Sequence, residues 1–395
     1  MDSLTRNGAC NESLLQLTRD LVRIPSRSAI DPYGPVFALI SDWLRNHGIL
    51  STIVSNEGAP VALMATLGDP ERGSTYLLNA TVDTAEFGDE SSWSMYPLSA
   101  GIHEGWLYGR GSADSKAGVS VFCHVAATLL EQADRMKGAL TLVFDAEEHS
   151  GIFLGIERSL ASLPQENKIA GAMIGYPGQD KIVVGCRGFY RATVRVHGKA
   201  AHSGSSTRHG INAIVRASSL VQKLQQTALP MEITPFFPLP PQFTITGMKG
   251  GSGCSTVPDL CTVDLDVRLT PTFQADSADR LIRTAVNWLD REDPRAASTE
   301  VEIKPGWPAY VVPRDNQIVE SLRRSAEMVM GKQVPLGVAG PSSVGNLLAL
   351  RGIPATAGFG VINRNFHAAD ECILIESLGP VYQVYLGAVH ELLLG

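Results

Sequence analysis

The chain has 395 residues, 44% of them hydrophobic and 18% charged, with a formal charge of −7. That length corresponds to two domains or to one large core carrying an insertion. The sparse charge supports a large buried core and excludes a disordered chain. With no lysine- or arginine-rich run, the acidic balance excludes nucleic acid and an anionic membrane surface as expected partners. The first residues carry no apolar signal core, and no stretch approaches about 18 uninterrupted apolar residues. The expectation is a soluble cytoplasmic protein. Cys10, Cys123, Cys186, Cys254, Cys261 and Cys372 are scattered without paired short spacings. They read as reduced, mostly buried thiols, neither a disulfide framework nor a zinc ribbon.

Leu14, Leu17, Leu21 and Ile24 fall at helical spacing behind a candidate cap at Asn11, so the chain opens with an amphipathic helix. Short apolar runs follow at 61–67, 75–79, 139–144 and 172–174, with a long helical pattern from about Lys116 to Met136. Strands alternating with helices imply an α/β sheet with covered faces. In such sheets ligands bind beyond the carboxyl ends of the strands. Those ends carry Asp83, the acidic cluster Asp145–Glu148 and Tyr176.

The pattern changes near Gly188. Segment 191–196 alternates like a half-buried strand and 211–224 is helical. Strand-like stretches at 242–246 and 262–269, a helix at 277–289 and a strand at 299–303 complete the order β-α-β-β-α-β. This is the split pattern of a ferredoxin-like α+β domain. Pro235–Pro241 marks a turn within it, and Lys304–Pro313 reads as the linker leaving it. Helical periodicity then resumes at Ile318, Leu322, Ala326 and Val329, and a helix near Val384–Leu394 closes the chain. The expected organisation is a catalytic α/β core built from 1–187 and 305–395, with a smaller domain at 188–304 inserted into it.

Several residues offer chemistry, each with a plain structural alternative. Glu147-Glu148 after a strand is either a solvated acidic turn or a pair dividing metal binding from proton transfer. Asp114 sits in a Gly-rich turn where it serves equally well as a helix cap. His367, in Asn-Phe-His-Ala-Ala-Asp-Glu, reads as a structural histidine or as a ligand.

Taken together, these segments resemble the co-catalytic zinc peptidases and deacylases that include carboxypeptidase G, aminoacylase, acetylornithine deacetylase and succinyl-diaminopimelate desuccinylase. The resemblance spans nearly the whole chain. It is carried by Leu107-Tyr108-Gly109-Arg110-Gly111 through Asp114-Ser115-Lys116-Ala117-Gly118 and by Asp145-Ala146-Glu147-Glu148-His149-Ser150-Gly151. Further matches are Gly198–Ser203 through Gly210–Ile214, and Asp266-Val267-Arg268. The inserted unit matches this family's lid and dimerisation domain. The resemblance implies two zinc ions bridged by Asp114, one of them also held by Glu148 and His367, with Glu147 as general base. It also implies Asp83 as the residue that orients the metal cluster, His202 as a lid histidine that polarises the scissile carbonyl across a dimer interface, and Arg268 as a contact for a substrate carboxylate.

The chain departs from that pattern at the other metal. Thr81 stands where a histidine belongs and Tyr176 where a carboxylate belongs. A neutral alcohol, and a phenol with a pKa near 10, are poor zinc ligands at neutral pH. Both losses fall on one ion, which predicts a mononuclear site of Asp114, Glu148 and His367 with one zinc per chain and an open position. His149 is a candidate replacement ligand. Tyr176 is read either as a ring plugging the vacated pocket or as a hydroxyl that donates to a substrate oxygen. Ser255 replaces an asparagine, and Ser343 lies in a loop lacking the usual aspartate, so both are expected to face an unfamiliar substrate.

Three functions follow as expectations. The first is a one-zinc amidohydrolase for an N-acyl amino acid or a small peptide-like amide, working as a homodimer on a small substrate that carries a carboxylate. The second is a non-hydrolytic enzyme of the same fold: an isomerase, lyase, cyclase or amide-forming catalyst of specialised metabolism. The third is an inactive binding protein, against which the retention of Glu147, Asp114, Glu148, His367 and His202 weighs.

Overall fold

The computed structural model describes residues 3–163, 169–207 and 209–395. By internal contact the chain divides into two compact units. One comprises Met1–Gly185, Val312–Gly337 and Ser343–Gly395; the other comprises Cys186–Val311 and Val338–Ser342.

The first unit is organised around a six-stranded sheet. Its spatial order is Thr52–Asn56, Ala59–Gly68, Gly138–Asp145, Ser74–Thr81, Ile169–Ile174 and Ala355–Thr356. The apolar runs of the sequence form these strands because a parallel strand covered on both faces has no position that tolerates a solvated side chain. Gly138–Asp145 is buried at every residue. Ser74–Thr81 runs parallel to both Gly138–Asp145 and Ile169–Ile174, with Thr81 opposite Asp145. Three strands therefore end side by side, and the segments that follow them, with Asp83, Glu147–His149 and Tyr176, leave the sheet at one edge. The helices Ala117–Leu129, Leu154–Ser162 and Leu378–Leu394 pack on this sheet. Ala117–Leu129 is buried on nearly all sides, as its apolar circumference requires. Gly118 lets its first turn meet the strand end at Gly175; a Cβ there would lie 2.4 Å from the Gly175 carbonyl oxygen.

The second unit follows the order β-α-β-β-α-β. Its antiparallel sheet runs Gln242–Gly250, Leu260–Leu269, Gly188–His197 and Glu300–Trp307. The helices Ala213–Gln226 and Ala275–Glu292 close one core, in which Val194, Val196, Leu220, Val263, Ile282 and Leu289 are buried.

Three boundaries differ from the sequence reading. The opening helix runs Ser3–Arg23, so Asn11 lies inside it. Once the packed turns from Leu14 onward nucleate the helix, extending it through residues that include no proline costs little. The helix read to Met136 ends at Leu129, and Leu130–Arg135 tightens into a 3₁₀ turn. The supposed exit linker is strand as far as Trp307. Pro305 falls at an irregularity of this edge strand, where its pairing with Gly188–His197 shifts register between Lys304 and Trp307, a position that tolerates proline. All six cysteines are free, with only Cys254 exposed.

Candidate metal centre

Asp83 is fully buried and organises the turn after Gly138–Asp145. Its Oδ1 accepts the Thr81 hydroxyl at 2.5 Å and the Glu148 N–H at 3.2 Å. Its Oδ2 accepts the His149 N–H at 3.1 Å and lies 3.4 Å from His149 Nδ1. One carboxylate thus joins the ends of two neighbouring strands. Asp145, paired with Asn79 Nδ2 at 2.6 Å, is pushed well above the usual carboxylate range, mainly by complete burial.

Asp114 occupies a buried loop that a second carboxylate holds. Glu371, itself buried, accepts from Arg110 Nη1 at 2.7 Å and from the N–H groups of Gly111, Ala113 and Asp114 at 3.1, 2.9 and 3.2 Å. Arg110 also donates to the His367 carbonyl at 3.4 Å. The Glu371 carboxylate therefore steadies both segments that carry Asp114 and His367. Lys116, also buried, donates to the Ile24 carbonyl at 2.8 Å; burial lowers its pKa to about 7.

Asp114 Oδ2 lies 3.0 Å from His367 Nε2 and 3.3 Å from His149 Nε2. The ligand atoms of Asp114, His149 and His367 all lie within 4.8 Å of one another. Burial favours the neutral form of Asp114, but the two histidines outweigh it and lower its pKa to about 2. For His149, burial opposes the charged form, yet contacts with Asp114 and Asp83 raise its pKa well above the usual histidine value. Asp114 Oδ1 is buried without a hydrogen-bond partner, and His149 Nδ1 faces Asp83 Oδ2 at 3.4 Å. Two imidazoles and a carboxylate converging in this way, with donor capacity left over, fit a divalent ion of the zinc type.

The adjacent glutamates part ways. Glu147, at a positive φ of 65°, accepts the Tyr33 hydroxyl at 2.7 Å. Glu148 accepts the Tyr176 hydroxyl at 2.7 Å and lies 3.5 Å from His149 Nδ1. Burial, with Asp114 and Asp83 nearby, raises the Glu148 pKa to about 7 against the lowering effect of His149 and Tyr176. Burial, with Glu148, Asp114 and Asp145 nearby, pushes the Tyr176 phenol far up, so it is a neutral donor. Ser343 caps the helix Val344–Leu350: its Oγ accepts from the Gly345 N–H and its own N–H donates to Asn346.

Within the second unit, His202 is exposed on a short strand, and its Nδ1 accepts the Gly204 N–H at 3.1 Å. A neutral ring so held carries its proton on Nε2. Ser255 is exposed, and its carbonyl accepts the Ser203 N–H at 2.8 Å. Arg268 pairs with Asp266 at 2.8 Å and lines a groove of about 710 Å³ together with Arg187, Arg191, Lys304 and the two acids Asp264 and Asp266.

Tyr33 and Glu371 escape a motif search. A tyrosine before Gly34-Pro35 carries no chemical signature, and its partner lies 114 residues away. The one available signal for Glu371 is an acid four residues after His367, with Arg110 between two glycines as a buried cation in need of a partner.

Among known proteins, succinyl-diaminopimelate desuccinylase of Cereibacter sphaeroides is 26% identical over 386 residues, covering 95% of this chain and 97% of the relative. An aminopeptidase from Bacillus cereus superposes with a TM-score of 0.77 at 20% identity, over 97% of this chain and 98% of that one. A dinuclear metal-binding peptidase from Bacillus subtilis superposes with a TM-score of 0.70 at 18% identity, over 97% and 98%. Both structures share the fold of this chain. The model of peptidase family M20/M25/M40 matches residues 77–391, which takes in every element bearing Asp83, Asp114, Glu147, Glu148 and His367. The chain belongs to this family of metal-dependent amide and peptide-bond hydrolases.

Proposed function

We propose that the chain hydrolyses the amide bond of an N-acyl amino acid or small peptide-like substrate bearing a free carboxylate, with one zinc ion per chain, as a cytoplasmic homodimer. The observation that carries this reading is the direct approach of Asp114 and His367, 3.0 Å apart, beside a turn in which Tyr33 holds Glu147. Asp114 and His367 would hold the ion, while Glu148, expected from the sequence as the third ligand, accepts from Tyr176 and stands beside His149. When bound, zinc supplies Lewis-acid polarisation of the scissile carbonyl and makes a nearby water more acidic. Glu147 takes the proton of the attacking water and returns it to the leaving amine, so the carboxylate is regenerated each cycle. Nε2–H of His202 of the partner subunit donates to the oxyanion as it develops. Arg268, among the cations of its groove, binds the substrate carboxylate. No helix among the described residues is long and apolar enough to cross a membrane.

The test is turnover of a panel of N-acetyl and N-succinyl amino acids and dipeptides in ¹⁸O-water. Hydrolysis places the label in the new carboxylate. Thr81 and Tyr176, at positions where family members carry ligands, favour one second reading, a non-hydrolytic reaction of the same site. Product formed without label would select it.

A further inference from the structure

We propose that His149 is a metal ligand in this chain and does the work that the missing histidine at position 81 does elsewhere, in a centre made of Asp114, His149 and His367. This rests on the reading of the chain as a metal-dependent amide hydrolase.

The argument is geometric. The His149 ring lies between two carboxylates, with Nδ1 3.4 Å from Asp83 Oδ2 and Nε2 3.3 Å from Asp114 Oδ2. A ligating histidine is normally oriented by a carboxylate or carbonyl at one ring nitrogen while the other meets the metal. Asp83 is the carboxylate so placed. It is fixed by the Thr81 hydroxyl and by the backbone N–H groups of Glu148 and His149. Thr81 thus keeps Asp83 aligned, and Asp83 aligns an imidazole that arrives from the neighbouring strand end. His367 Nε2 lies 3.0 Å from the same Asp114 oxygen, and the two imidazole rings are neighbours, with centroids 5.1 Å apart. Ligand atoms about 2.0–2.2 Å from a tetrahedral zinc are roughly 3.3–3.6 Å apart. The His149 contact with Asp114, at 3.3 Å, meets that spacing and the His367 contact is slightly shorter, and Asp114 Oδ1, buried and unpartnered, is left as a further donor.

Glu148 has a different setting. Its Oε1 accepts from Tyr176, and its Oε2 lies 3.5 Å from His149 Nδ1, the ring nitrogen on the side away from Asp114. A carboxylate there supports a ligand. Tyr176, Glu148 and Asp83 together form the outer ring that positions His149. Two imidazoles, one carboxylate and an open fourth position make a catalytic zinc site.

The experiment uses the full chain, stripped with chelator and titrated with Co²⁺, followed by visible absorption and metal analysis. X-ray absorption of the zinc-loaded protein counts imidazoles. The wild type is expected to take up one ion with two imidazoles. His149→Gln and His149→Ala, with unchanged near-ultraviolet circular dichroism, are expected to lose at least about 100-fold in Co²⁺ affinity, the upper range for outer-ring losses. They should retain one imidazole. Thr81→His in the His149→Ala background should restore the second imidazole, and Glu148→Gln should cost no more than the roughly 10–100-fold of an outer-ring group. Wild-type affinity in both His149 variants, or loss of the ion in Glu148→Gln alone, overturns the assignment and leaves the hydrolase reading standing. A wild type that takes up no Co²⁺ overturns both. Should the His149 variants fail to fold, the imidazole count of the wild type decides: two supports His149 and one rejects it.

Discussion

Tyr176 donates its hydroxyl to Glu148 at 2.7 Å, so the phenol that replaces a carboxylate of the family pattern is tied to the acid next to His149. The bond stabilises the ionised form of a buried carboxyl whose pKa burial has raised to about 7. Because that pKa lies above the ordinary value, Glu148 costs stability as pH rises from about 4.5 to about 7, and the cost levels off above that. Tyr176→Phe should raise the pKa further. We expect a loss of about 1–3 kcal/mol at pH 8, the range for a hydrogen bond to a charged group. The loss should be smaller at pH 6. Urea denaturation of metal-free protein at the two pH values measures the difference.

Glu371→Gln should be among the most damaging single changes outside the reacting groups. It leaves the Arg110 guanidinium, 2% exposed, without its counter-charge. Breaking one side of a buried ion pair costs about 3–5 kcal/mol. Because Glu371 acts through the segments bearing Asp114 and His367, zinc affinity should fall in parallel, which equilibrium dialysis would show. A variant with wild-type stability and zinc affinity would remove this positioning role.

Glu147→Gln should lower kcat by about 10²–10⁴, the span of a lost general base, with zinc stoichiometry unchanged. Tyr33→Phe removes only the group that holds Glu147. It should lower kcat by roughly tenfold, equivalent to about 1.4 kcal/mol, with KM unaltered. Steady-state kinetics on whichever amide the panel selects will separate the two roles; equal losses would make Tyr33 part of the proton transfer itself.

His124 contributes a pH dependence far from the centre. Its Nδ1 donates to the Ser120 carbonyl at 2.7 Å and its Nε2 lies 2.9 Å from the Ser13 hydroxyl, which can donate to the neutral ring. Burial, partly offset by the bond to Ser120, lowers its pKa to about 4. The unfolded chain therefore binds the extra proton first. Stability should rise with pH between about 4 and 6.5, by roughly 3 kcal/mol in all. His124→Asn should flatten that part of the profile, as read from denaturation midpoints at pH 4.5, 5.5 and 7; an unchanged slope would assign the dependence to other groups.

The strands were legible in the sequence because a covered parallel strand must be apolar at consecutive positions, as 139–144 and 172–174 are. The β-α-β-β-α-β order was legible for the complementary reason, alternation on a half-exposed sheet. At the centre, the family resemblance pointed to Asp114 and His367, which stand in contact 253 residues apart. What spacing could not convey was which neighbour each side chain turns toward. Glu147 and Glu148 are adjacent in the chain yet face Tyr33 and Tyr176. The Glu371 clamp and the placement of the His149 ring between Asp83 and Asp114 exist only once distant segments are folded together.

The pairing of Thr81 with Asp145 across parallel strands has a mechanical corollary. Sliding either strand by a single residue would turn its side chains to the opposite face and pull the Asp83 carboxylate off the Glu148 and His149 amides. Alignment of the reacting groups is thus set by the ladder of the sheet. Stress applied to these two strands should silence the protein before it unfolds it.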